Sequence, residues 1–195
     1  MSVIDFETGL SIARGHLDEL ENSGSAALIL IDGRAGSGKS RFAKLLSESF
    51  FREHRFLPRL ISMDDLYPGW NGLRDGSVYL LEHILGPLAA GREASWQVWN
   101  WEQAGRGRDE PGNGMRSLQP GNPLIAEGCG SLSKETSPLA TLRIWIESDT
   151  QVRRERYSER DGGKFDEFFG IWAAQEDEFY AEQQSAFLAD VLITN

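Results

Sequence analysis

Eight consecutive residues, Gly33-Arg34-Ala35-Gly36-Ser37-Gly38-Lys39-Ser40, have the types and spacing for phosphate chemistry. They make a complete G-x-x-x-x-G-K-[ST] phosphate loop. Its glycines let the chain curl until successive N–H groups point at phosphate oxygens, and a helix starting at the loop's end adds its positive terminus. Lys39 supplies a charge for the β and γ phosphates, and Ser40 a hydroxyl for a magnesium ion bridging them. The nucleotide-binding set is therefore Gly33, Arg34, Ala35, Gly36, Ser37, Gly38, Lys39, Ser40 and the adjoining Arg41.

Three further groups of side chains can do chemistry. Asp64 and Asp65 close the short apolar run Arg59 to Met63, and a carboxylate there can accept a proton from an attacking hydroxyl or help hold magnesium. An Asp pair capping a turn is the plainer alternative. Glu127 follows the apolar run Pro123 to Ala126 and can order magnesium-bound water opposite Ser40. Arg153, Arg156 and Arg160 recur at spacings of three and four, which puts them on one helix face suited to phosphate. A solvated face balanced by Glu155 and Glu159 is the competing reading. Cys129 has no histidine in a usable arrangement and reads as a bystander.

These groups need a scaffold. Leu28 to Ile31, Arg59 to Met63, Pro123 to Ala126, Leu142 to Ile146 and Asp190 to Thr194 read as five strands of a parallel sheet. In such a sheet ligands sit beyond the carboxyl ends of the strands, which brings Asp64, Asp65 and Glu127 beside the phosphate loop. Helices fill the gaps. Leu10, Ala13, Leu17 and Leu20 predict one over about 3–22 that covers a sheet edge and stops at Asn22-Ser23-Gly24-Ser25; Phe42, Leu45, Leu46 and Phe50 predict the next; Val78, Leu81, Ile84, Leu85 and Leu88 a third. Asp149 can cap a lid helix that breaks at Asp161-Gly162-Gly163, the lid spanning about 153–164. Between about 95 and 119, Trp96 to Trp101 alternates like a strand and Met115 to Leu118 can return as its hairpin partner. Its tryptophans suit either a pocket wall for a ring-shaped substrate or the core. The aromatics Phe165, Phe168, Phe169, Trp172, Phe179 and Phe187 read as core.

Composition narrows the class. A length of 195 residues with 40% hydrophobic content suits one α/β domain, 1–195. A formal charge of −10 without a basic cluster disfavours nucleic acid, so the expected partner is a small molecule. A single cysteine excludes an internal disulfide, and no apolar run approaches a membrane span. Met1 to Phe6 lacks the features of a signal peptide, which makes cytoplasm the default; homo-oligomerisation stays open.

From about Ala26 to Thr194 the series of motifs resembles the uridine kinase and phosphoribulokinase branch of the phosphate-loop kinases. Asp64-Asp65-Leu66-Tyr67 is similar to the family's Asp-x-Phe-Tyr segment, and Gly91 through Trp101 to the stretch leading to a Tyr-Asp-Phe hairpin. Leu124 to Gly128 resembles the strand ending in Glu-Gly. Glu147 to Asp161 resembles the arginine-rich lid, and Ala189 to Ile193 the closing strand. The resemblance implies a three-layer phosphate-loop sandwich with strand order 2-3-1-4-5, and ATP and Mg2+ as cofactors. It implies Asp64 as catalytic carboxylate, Glu127 as a magnesium-associated acid beside Ser40, and Arg153, Arg156 and Arg160 as lid arginines acting with Lys39. Asp64, Tyr67, Trp99 and Asn100 fall on the acceptor side. Trp99-Asn100 replaces the family's Tyr-Asp, no histidine follows between Glu102 and Arg108, and Gly162-Gly163-Lys164 replaces further lid arginines.

The expected activity is phosphoryl transfer from ATP to a hydroxyl of a small metabolite, a nucleoside foremost. A GTP-driven switch would need an Asn-Lys-x-Asp type motif; the lone Asp109-Glu110-Pro111-Gly112 sits in a loop with no strand leading to it. A degenerate kinase that binds nucleotide without transfer is the remaining alternative.

Overall fold

The structure is a computed structural model that describes residues 3–160 and 162–195. Its first elements are β1 (Val3–Asp5), α1 (Phe6–Ser23), β2 (Leu28–Asp32) and α2 (Lys39–His54). Asp5 caps α1 by accepting the Thr8 N–H at 2.9 Å, and Gly24 closes the helix in the left-handed conformation. Next come β3 (Arg59–Ser62) and α3 (Leu73–Leu80), which runs through a π-helical turn at Leu81–Leu85 into α4 (Gly86–Ala89). In that turn the Gly86 N–H reaches Leu81 O, just before Pro87, which has no N–H to give. Val78 is exposed, while Leu80, Ile84 and Leu85 are buried.

The insertion holds β4 (Ala94–Gln97), β5 (Trp99–Asn100), β6 (Gly105–Arg106) and β7 (Met115–Leu118). β4 pairs antiparallel with β7, and β5 with β6 makes a smaller inner hairpin. The chain then forms β8 (Leu124–Glu127), β9 (Leu142–Glu147), α5 (Thr150–Arg160), α6 (Phe169–Gln183), α7 (Ser185–Leu188) and β10 (Val191–Thr194). Asp149 caps α5 through the Gln151 and Val152 amides. Asp161, in the break expected after the lid helix, lies outside the described residues.

The main sheet has six parallel strands in the order β1-β10-β9-β2-β8-β3. Read from β3, its first five members reproduce the implied 2-3-1-4-5 order, and β1 adds an edge strand beyond the five expected. The segment read as helix from residue 3 thus begins as strand. Three residues are too short a run for an alternation to be detected; β1 pairs with β10 and sets only Ile4, half-buried, against the core.

Side chains of β2 alternate between two cores: Ile29 and Ile31 pack with Phe42, Leu46 and Leu17 under α1 and α2, while Leu30 packs with Met63, Tyr67 and Phe179 on the opposite face. Register levels Ile31 of β2 and Ser62 of β3 with Glu127 of β8, so the strand ends, and the groups they carry, emerge at one edge. Among the described residues no helix is long and apolar enough to cross a membrane.

Candidate active site

The phosphate loop leaves β2 at Asp32, whose carboxylate is wholly buried. It accepts four hydrogen bonds: Gly33 N–H at 2.6 Å, Gly130 N–H at 3.1 Å, Leu132 N–H at 2.8 Å and Tyr180 O–H at 2.7 Å. Burial nevertheless pushes Asp32 up to about 6 against these donors. The loop root is thus tied to the segment after β8 and to α6. At the tip, Gly36 has φ +79° and a Cβ there would run into the Arg153 carbonyl, so glycine is required where the loop meets α5. Lys39 folds back on the loop, its Nζ donating to Gly33 O at 2.8 Å and Arg34 O at 2.9 Å. Burial opposes its charge, but the Glu127, Glu176 and Asp32 carboxylates hold the ammonium above its ordinary range.

Ala35, Gly36, Gly38, Lys39, Ser40 and Arg41 line a cavity of about 730 Å³. Arg34 does not: its guanidinium turns to α6, 2.6 Å from Asp177 and 3.6 Å from Glu176. The Ser37 side chain is buried, with no hydrogen-bond partner for its hydroxyl among the described residues, and its carbonyl accepts from Asn195 Nδ2 at 2.8 Å.

The floor of the cavity carries the acidic groups. Glu127, at the end of β8, is buried and bridges the start of α2 and the end of β3, accepting from Ser40 Oγ at 3.2 Å and Ser62 Oγ at 3.1 Å. Burial pushes its carboxyl up, opposed by Lys39. Glu127 is therefore not a strand-end carboxylate facing solvent. Asp64 and Asp65 also line the cavity, from the turn that follows β3; burial and the neighbouring Asp64 raise Asp65. Ser40, Glu127 and Asp64 offer hard oxygen donors. Among the described residues no group of three or more His, Cys, Asp or Glu could hold a metal ion. The oxygen donors present are of the kind magnesium takes, one or two carboxylates together with substrate phosphates and water.

The arginines divide. Arg156 and Arg160 line the cavity, Arg156 bonding Ser148 Oγ at 3.3 Å and Arg160 lying 3.9 Å from Asp64. Arg153 is buried instead and does not line it; its guanidinium donates to Ala35 O at 3.2 Å, Ser148 O at 3.3 Å and Thr150 Oγ1 at 3.3 Å. All three share a face, as the spacing predicts, but that face begins against the phosphate loop and only farther along reaches the cavity. Arg153 ties the first turn of α5 to the phosphate loop.

Aromatic rings wall the remaining side. Tyr67, Trp70, Trp101, Phe165 and Trp172 line it, Tyr67 and Trp172 edge to face at 4.7 Å. Trp70 meets Trp101 at 4.8 Å and stacks on Phe168 at 4.3 Å. The polar handles of two rings are already engaged: Tyr67 O–H donates to Cys129 O at 2.7 Å and Trp101 Nε1 to Asp64 O at 2.9 Å. Trp99 and Asn100, expected at the acceptor, do not line the cavity. Asn100 Oδ1 accepts the Glu102 and Gln103 amides, each at 3.0 Å, and this side-chain turn swings the chain so that Trp101 faces inward. Of the aromatics read as core, Trp172 and Phe179 are buried, Phe165 lines the cavity and Phe187 is exposed.

Trp70 and Glu176 belong to the site without being singled out by residue spacing. Trp70 ends the turn-rich run Asp64-Asp65-Leu66-Tyr67-Pro68-Gly69-Trp70, and its place beside Asp64 is the signal that points to it. Glu176 sits in α6 like any surface glutamate, and nothing in its neighbours marks it as buried. Cys129, read as a bystander, has its thiol pushed up by burial and donates to Glu176 Oε1 at 3.2 Å.

No family model matches the sequence, and no curated protein matches it. Solved structures do match the fold. A possible uridine kinase from Bacillus stearothermophilus is 18% identical, with 93% of this chain and 98% of that one covered at a TM-score of 0.60. A candidate fructose transport system kinase from Silicibacter sp. TM1040 is 15% identical, with 95% and 98% covered at a TM-score of 0.56. At these identities the likeness is one of fold, and it extends over nearly the whole of each chain: the protein has the uridine kinase-like phosphate-loop kinase fold.

Proposed function

We propose that the protein is a kinase that transfers the γ-phosphoryl group of ATP, with magnesium, to a hydroxyl of a small ring-bearing metabolite, a nucleoside being the favoured class. One observation carries this reading: a single cavity joins a complete phosphate loop, a Ser40–Glu127 pair and an accessible Asp64 to an aromatic wall. A nucleotide switch has no use for that wall.

The loop amides and Lys39 bind phosphate, and Ser40 and Glu127 would hold magnesium, which when bound neutralises charge on the phosphates. Lys39 must leave the Gly33 and Arg34 carbonyls to reach its ligand. Asp64 positions the acceptor hydroxyl and takes its proton. Arg156 and Arg160 approach from α5 and offset charge that builds on the transferring group. The rings stack on the acceptor and exclude water, with Tyr67 and Trp101 fixed in place by their own hydrogen bonds.

Incubation with ATP and magnesium across nucleosides, sugars and small vitamins tests the reading by mass spectrometry. One compound gaining a phosphoryl group supports it. Tight nucleotide binding with every compound unchanged moves the protein to the binding or degenerate-kinase class.

A further inference from the structure

Three residues of α6 spaced by four, Trp172, Glu176 and Tyr180, lie on one buried stripe with exposures of 6%, 1% and 9%. Each touches a different part of the site. Trp172 walls the cavity beside Tyr67. Tyr180 O–H donates to Asp32 at the root of the phosphate loop. Glu176 reaches the loop itself: its Oε1 accepts the Ala35 N–H at 2.6 Å and the Cys129 S–H at 3.2 Å, and its Oε2 lies 3.6 Å from Arg34. Cys129 in turn lies 3.5 Å from the Lys39 ammonium.

The contacts of the Glu176 carboxylate named above are two hydrogen-bond donors and a guanidinium, the surroundings a buried carboxylate needs. Burying one is costly unless it is paired and hydrogen-bonded, and simple helix packing at this spot would be served by an apolar residue. Its short, charge-assisted bond goes to an amide of the motif whose amides hold phosphate.

On the kinase reading, we infer that Glu176 is a positioning residue for the phosphate loop. It engages the Ala35 amide and thereby sets the curl that aims the other loop amides and Lys39 at the nucleotide. Through Trp172, four residues earlier on the same helix, the acceptor wall and the loop tip share one rigid support.

The test uses the full chain, calorimetric titration with magnesium and the non-hydrolysable analogue adenylyl imidodiphosphate, and two variants. Glu176→Ala weakens analogue binding roughly tenfold or more, the range of a lost charge-assisted hydrogen bond, and Glu176→Gln, which keeps an acceptor for Ala35, restores much of it. A loss of melting temperature alone would move without that rescue. In the wild type the Ala35 amide proton, followed by NMR, stays downfield when the analogue binds. Folded Glu176→Ala with wild-type affinity, or an Ala35 amide that shifts as a phosphate ligand does, overturns the inference. If Glu176→Ala does not fold, the Glu176→Gln affinity and the wild-type Ala35 amide decide. Absence of analogue binding by the wild type would overturn the kinase reading instead.

Discussion

The Arg160 guanidinium stands 3.9 Å from the Asp64 carboxylate, so α5 and the turn after β3 meet across the cavity that both line. In the proposed reaction the carboxylate acts on the acceptor and the arginine on the transferring group. Asp64→Asn lowers kcat by about 10²–10⁴-fold while nucleotide affinity is kept, as expected when a general base is lost. Steady-state kinetics with calorimetry of the ATP analogue checks this. Equal losses in both would remove Asp64 from the acceptor role.

Arg153 and Arg160 lie on one helix face but are expected to fail differently. Arg153→Ala strips the Ala35 and Ser148 carbonyls of a buried donor and costs about 2–4 kcal/mol, a fall in Tm of roughly 5–12 °C at this chain length. Arg160→Ala leaves Tm nearly unchanged, since an exposed ion pair contributes little, and lowers kcat instead. Thermal melts set beside turnover separate the two; matched losses of Tm would contradict the division between them.

Asp32 gives stability a pH dependence of defined sign. Its native value of about 6 exceeds the ordinary 3.8, so between those limits the native state holds a proton that the unfolded chain has released. Its contribution is fully present below about 3.8 and is lost as pH rises through 6, a change of about 3 kcal/mol. Asp32→Asn, which is destabilised because an amide donor now faces the Leu132 or Gly33 N–H, lacks this dependence. The advantage of wild type over variant in urea melts therefore shrinks from pH 4 to pH 7. Parallel curves would show that Asp32 does not titrate in that window.

Trp101 and Trp99 provide a direct contrast on the acceptor wall. Trp101→Phe removes the hydrogen bond to the Asp64 carbonyl and part of a lining ring, and raises KM for the acceptor several-fold, on the order of 1 kcal/mol. Trp99→Phe leaves it unchanged. The reverse result would put the acceptor on the hairpin.

Much of this site could be read from the sequence where function needs local spacing. The phosphate loop is contiguous, and Asp64 and Glu127 follow apolar runs whose register in a parallel sheet brings them to one edge. Where tertiary packing decides, the pattern was silent. The spacing of Arg153, Arg156 and Arg160 fixes a face but not what each point on it meets, and Arg153 meets the phosphate loop. The Trp96 to Trp101 alternation breaks at the Asn100 turn, which exchanges Trp99 for Trp101 at the cavity. β1 is held by backbone pairing and the one half-buried side chain of Ile4, and Glu176 is buried by the loop it grips; neither leaves a signature in residue type.

The central claim is that the cavity transfers phosphoryl groups from ATP to a small acceptor, and acceptor-dependent ADP release tests it most directly. With magnesium and a panel of nucleosides, nucleoside monophosphates, sugars and small vitamins, and Lys39→Ala as blank, the expected result is ADP release stimulated by one acceptor and abolished in the variant. Tight ATP binding with release that no acceptor stimulates would contradict the account.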